Sequence, residues 1–172
     1  MRATQALAVL AHASVAFAGF SGIVAAFRRR DLPEWSPLER FRFRFMVEFS
    51  LATLALSLVP MFLDELGLSE TAVWSASSVL LGGGALSYLV RSALRLRPLL
   101  ALGEPVNRGL AVVSLLVGVV IAVAAFVNAT GFFAHPSGVY LSGVGGCLFV
   151  SSAMFAQLLL ANAKPGSPRA DS

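Results

Sequence analysis

The charges of this chain are absent from five long stretches, and that absence constrains the fold more than any motif does. Runs 5–27, 45–63, 73–90, 109–127 and 139–160, each 18 to 23 residues long, contain one ionisable acid, Glu48, and no Lys or Arg. At a helical rise of ~1.5 Å per residue they extend roughly 27–35 Å, which matches a ~30 Å hydrocarbon core. Only helices or closed barrels satisfy their backbone in lipid, and these runs are apolar all round instead of alternating. Helices are expected. Over the 172 residues 57% are hydrophobic and 13% charged, and mean hydropathy is +0.79. A soluble domain has about 25% charged residues, so this balance excludes a soluble enzyme, a nucleic-acid module, a disordered chain and a disulfide scaffold.

The expected fold class is all-α, a polytopic helical membrane protein with five transmembrane helices. One bundle would cover residues 1–163, and the polar, breaker-rich segment 164–172 would be a disordered cytoplasmic tail.

Orientation follows from where the bases fall. Arg28, Arg29, Arg30, Arg40, Arg42 and Arg44 lie in the first connection, Arg91, Arg95, Arg97 and Arg108 in the third, and Lys164 and Arg169 in the tail. Arg2 is the only base on the other side. Basic connections are retained in the cytoplasm, so the N-terminus is expected outside and the C-terminus in the cytosol. The second connection, with Asp64, Glu65 and Glu70, and the uncharged fourth are then external. Ala16-Phe17-Ala18 before Gly19 looks like a signal-peptide cleavage site. Cleavage would leave six arginines with no fixed reason to stay inside, so the first run is expected to persist as a span. The preference for Arg over Lys, in an Ala-rich and Gly-rich chain, points to a bacterial cytoplasmic (inner) membrane. Cys147 is the single cysteine, so it forms no internal disulfide and fills no tetrahedral metal site.

Helix ends are legible as well. Ser36-Pro37-Leu38-Glu39 fits a capping box with proline at the first helical position, which starts the second helix near Pro37. Gly67 reads as a stop and Ser69 as the next N-cap, making a tight hairpin. The third helix is expected to continue through Arg91 and Arg95 and stop at Pro98. Within Arg40-Phe41-Arg42-Phe43-Arg44-Phe45, helical geometry stacks Arg40 on Arg44 and Phe41 on Phe45, an arrangement suited to lipid phosphates beside acyl chains. Arg40, Arg44, Trp35, Arg91 and Arg95 are therefore the expected lipid-headgroup contacts. The bilayer, including anionic lipid, is the expected partner.

Small residues are the strongest signal inside the spans. In the first, Ala8, His12, Ala16, Gly19 and Ile23 share a face with Gly22 alongside. The third has Gly82, Gly83 and Gly84 in succession, a candidate hinge, and the fifth has Gly138, Ser142 and Gly146 at four-residue spacing. Small side chains let helices approach closely, so these positions are expected at helix packing contacts or a homo-oligomer interface.

Polar groups in hydrocarbon are costly and mark candidate function. Glu48, His12 and Gln157 are the candidates for an ion or proton pathway, with Arg44 one turn before Glu48 as its structural partner. His12 is expected to point at a neighbouring helix from the small-residue face. The chain lacks H-E-x-x-H, C-x-x-C, G-x-S-x-G and a phosphate-cradling loop with Lys. No catalytic residue, metal ligand or cofactor is expected, and the chain is not expected to be an enzyme. The functional expectation is a small oligomeric channel or transporter protomer for ions or protons. The alternative is a non-catalytic membrane scaffold or accessory subunit. What separates them is whether polar side chains from several spans converge on one water-accessible path.

Overall fold

The structure is a computed structural model that describes the backbone of residues 2–27, 37–101 and 108–162, and side chains over 3–23, 40–94 and 112–156. Among the described residues five helices follow one another: α1 (Arg2–Phe27), α2 (Pro37–Glu65), α3 (Glu70–Ala101), α4 (Arg108–Ala129) and α5 (Pro136–Asn162). All five are long and apolar enough to cross a membrane, over Ala3–Ile23, Arg40–Glu65, Glu70–Leu94, Val112–Ala129 and Pro136–Ala156.

The starts and stops have local causes. α2 begins at Pro37, as the capping pattern requires. After α2 the chain turns at Gly67, whose φ of 77° is a left-handed conformation that glycine adopts without a Cβ clash. Its N–H donates to Asp64 O at 2.9 Å, and the Leu66 N–H donates to Phe62 O at 3.2 Å. The Ser69 hydroxyl oxygen then accepts the Ala72 N–H at 3.4 Å, which opens α3 as expected of an N-cap. Gly131 closes α4 in the same way, at φ 76° with its N–H on Asn128 O at 3.1 Å. α3 departs from expectation: it passes Pro98 and reaches Ala101. A proline so near a helix end removes one backbone bond and leaves only three residues beyond it, so the helix is not broken there. It also stays helical through Gly82, Gly83 and Gly84.

Among the described residues α5 packs against all four other helices, and α1, α2, α3 and α4 pack in chain order around it. The main core joins Leu7, Trp74, Leu81, Ile121, Ala125, Tyr140, Val144 and Cys147. A second cluster centres on Phe45, Val150 and Met154, with Phe41, Phe49 and Tyr88 against it. Phe45 stacks on Phe49 at 4.7 Å, and both meet the Tyr88 ring edge-on, at 4.8 and 4.5 Å. This corrects the expectation that Phe41 and Phe45 face acyl chains. They lie on the side of α2 that its neighbours cover, where a flat ring fills more volume than any aliphatic side chain.

Candidate functional site

Of the polar candidates, His12 and Glu48 each have a bonding partner on their own helix. Glu48 accepts a hydrogen bond from Arg44 Nε at 2.7 Å, a pair one turn apart on α2 with side chains 37% and 68% exposed. Exposed pairs of this kind contribute ~1 kcal/mol or less. Glu48→Gln is accordingly expected to change unfolding free energy by under about 1 kcal/mol in a detergent titration.

His12 is exposed, and its Nδ1 lies 2.7 Å from Ala8 O, a carbonyl of its own helix. It does not point at a neighbouring helix, contrary to expectation. The packed face of α1 carries Leu7, Ser14 and Ser21, all buried, at seven-residue spacing. A seven-residue repeat keeps one seam turned toward a partner helix, and His12 lies off that seam. The side chain of Gln157 lies outside the described residues.

A different set of polar residues occupies the interior. Met46, Ser50, Thr53, Ser57 and Pro60 form the buried stripe of α2. Their spacing alternates between four and three, the period of a packed helix seam, and this is the signal that scanning for charge and glycine missed. Each hydroxyl returns to its own helix: Ser50 to Met46 O at 2.9 Å, Thr53 to Phe49 O at 2.8 Å, Ser57 to Thr53 O at 2.8 Å. Others reach across. Ser50 Oγ and Ser151 Oγ are 3.0 Å apart, and Ser151 also donates to Met46 O at 3.1 Å, tying α5 to α2. Asn128 Nδ2 donates to Ser78 Oγ at 2.8 Å and to Pro136 O at 2.9 Å, which joins the end of α4 to α3 and to the first residue of α5. Among the described residues, Ser77 Oγ and Asn128 Oδ1 are the buried side-chain polar atoms without a hydrogen-bond partner.

The most informative of these bonds involves a proline. Pro60 has no N–H, so the Leu56 carbonyl four residues earlier loses its helical donor. The Tyr140 hydroxyl of α5 donates to that carbonyl at 2.7 Å. A side chain from one helix thus repairs the backbone of another.

Of the small residues singled out in the sequence, two are close contacts. A Cβ on Gly82 would lie 3.1 Å from the Phe126 ring, and one on Gly146 would lie 3.0 Å from Ile121 Cδ1. Gly19, Gly22, Gly83, Gly84 and Gly138 have open space at that position, and Ser142 is exposed and donates to Gly138 O at 2.9 Å. At these five glycines no described residue comes within 4 Å of where a Cβ would stand. Gly143 and Gly118 are close contacts, with Leu81 Cδ2 at 2.7 Å and Leu89 Cδ2 at 2.8 Å from where a Cβ would stand. Of the expected headgroup residues, Arg40, Arg44 and Arg91 are exposed, whereas Trp35 and the side chain of Arg95 lie outside the described residues.

Between α1 and α5 an open cavity of about 250 Å³ is lined by Ala16, Phe17, Phe20 and Phe155. Among the described residues no group of three or more His, Cys, Asp or Glu side chains is placed to hold a metal ion. Among the described residues, Ser50, Ser151, Asn128 and Tyr140 bond between helices, while Thr53 and Ser57 bond within α2.

The architecture defines the class: a bundle of five helices, each able to cross a membrane. Comparison with protein-family models, with curated proteins and with solved structures gave no match.

Proposed function

We propose that the chain is a multi-pass protein of a bacterial cytoplasmic membrane, with its N-terminus outside and C-terminus in the cytosol. It acts there as a non-catalytic scaffold or accessory subunit that packs against lipid or a larger membrane partner. The observation that carries this reading is the use of the interior polar groups. Ser50, Ser151 and Tyr140 bind α2 to α5, Asn128 binds α4 to Ser78 of α3 and to the start of α5, and Thr53 and Ser57 are taken up by carbonyls of α2. A permeation path needs such groups free to replace a solute's hydration, so their engagement in cohesion favours a structural role. The orientation rests on the placement of twelve bases against Arg2.

A second reading, a channel assembled from several copies, is favoured by one observation: His12 faces outward on the same side of α1 as the open Ala16 and Gly19. In an oligomer that face would be the inner one. Purified protein in liposomes, loaded with a pH-sensitive dye and given a potassium gradient, separates the readings. The scaffold reading expects proton and potassium flux at the level of protein-free vesicles. Flux above that level, reduced by His12→Leu or Glu48→Gln in folded protein, would establish conduction instead. A fluorescent reporter fused after Ser172 is expected to be bright in the cytosol, and periplasmic activity of an alkaline phosphatase fusion there would reverse the orientation.

A further inference from the structure

We propose that one water molecule is bound inside the bundle where α3, α4 and α5 meet, held by Asn128 Oδ1 and by the hydroxyls of Ser78 and Ser77. The site rests on interior contacts alone and stands whether the chain is a scaffold or a channel.

The orientation of the Asn128 amide is fixed by its neighbours. Its Nδ2 is 2.8 Å from Ser78 Oγ and 2.9 Å from Pro136 O. A backbone carbonyl only accepts, so the end of the amide that faces Pro136 is the nitrogen. Both of its hydrogens are then used. The oxygen Oδ1 is left without a protein donor, in a side chain 1% exposed. An acceptor buried in this way is costly unless something donates to it.

Ser78 is placed to close the gap through a water. Its oxygen accepts the Asn128 N–H, which leaves its own proton to be donated. In an amide the nitrogen and oxygen are ~2.2 Å apart, so Ser78 Oγ, 2.8 Å from the nitrogen, lies at most ~5.0 Å from Oδ1. Two hydrogen bonds of ~2.8 Å each reach ~5.6 Å. One water therefore spans both atoms, accepting from Ser78 and donating to Oδ1.

Ser77 supplies the third partner. It is 0% exposed, and its Oγ is the other buried side-chain polar atom without a partner among the described residues. It lies between Trp74, whose ring meets that of Tyr140, and Leu81, which packs against Gly143. This stretch of α3 thus faces the first turns of α5, which begins at Pro136, the residue whose carbonyl the Asn128 amide reaches. Three polar partners are the usual complement of a buried water. Asn128 is one residue from the end of α4, so the path from the surface is short.

The test applies X-ray radiolysis to the full chain in detergent micelles. Hydroxyl radicals form from bound water as well as from bulk, and they oxidise the side chains beside them. Trp74, one turn before Ser78, is 9% exposed, and Met154, 7% exposed and toward the other end of α5, is the control of equal burial. Oxidation of Trp74, located by mass spectrometry, is expected to be several times faster than that of Met154. In Asn128→Leu, which puts carbon where the amide stood, it should fall to the rate of Met154. Ser77→Ala is read separately by SDS titration. With water on its hydroxyl the folding equilibrium constant should drop about fivefold, the worth of one hydrogen bond. A dry hydroxyl would make alanine the more stable residue. Trp74 oxidised no faster than Met154, or undiminished oxidation of Trp74 in folded Asn128→Leu, overturns the water. A gain of stability in Ser77→Ala strikes Ser77 from its partners. If Asn128→Leu does not fold, the comparison within the unmodified chain and the sign of the Ser77→Ala effect still decide.

Discussion

Replacing Tyr140 by phenylalanine is expected to destabilise the bundle by about 1–3 kcal/mol, although a single oxygen atom is removed. The cause lies on another helix. Because Pro60 supplies no N–H, the Leu56 carbonyl takes its hydrogen bond from the Tyr140 hydroxyl at 2.7 Å. Without that hydroxyl, a carbonyl buried in hydrocarbon or protein has no donor and no water to replace it. Tyr140 is 1% exposed and its ring lies 5.9 Å from that of Trp74. Tyr140→Ala therefore adds a cavity to the lost bond and should cost about 3–5 kcal/mol.

A second substitution makes the argument specific. Pro60→Ala restores the backbone N–H, so in that background Tyr140→Phe should retain less than half of its effect. Unfolding by SDS titration from mixed micelles measures all four members of the cycle. An equal loss in both backgrounds would mean that the hydroxyl is not serving the Leu56 carbonyl.

Asn128→Leu is expected to cost about 1–2 kcal/mol, because it conserves volume while deleting two interhelical bonds of ~1 kcal/mol or less each. The lost partners are Ser78 on α3 and the Pro136 carbonyl at the start of α5. The amide holds the α4–α5 turn, so its loss should show locally as well. Phe132, 77% exposed in that turn, offers a chymotrypsin site, and cleavage there should accelerate in the variant. Unchanged cleavage together with unchanged stability would remove Asn128 from the role of clamp.

The spans were readable because the physics that sets them is one-dimensional. A charge in hydrocarbon is costly wherever the chain packs, so uncharged runs such as 109–127 mark a helix before any neighbour is known. Gly67 and Ser69 were readable for a similar reason, since left-handed turns and N-caps depend on a few adjacent residues. The faces were harder. Gly19 and Gly143 look alike in sequence, yet one borders open space and the other lies against Leu81. Small residues permit close approach without requiring it, and only the partner's position decides which ones are used. His12 went astray for the same reason: its face was inferred from Ala8, Ala16 and Gly19, whereas α1 packs through Leu7, Ser14 and Ser21.

From the sequence alone came the number of helices among the described residues, their approximate limits other than the end of α3, and the gathering of basic residues at alternate connections, because each depends on local composition and on the cost of burying charge. The tertiary structure alone decided that α5 stands at the centre, that hydroxyls bind α2 to α5, and that Tyr140 repairs the backbone opened by Pro60. Leu56 and Tyr140 are far apart in the chain, and no local rule brings them together. Their pairing exists only once the helices have chosen which faces to bury.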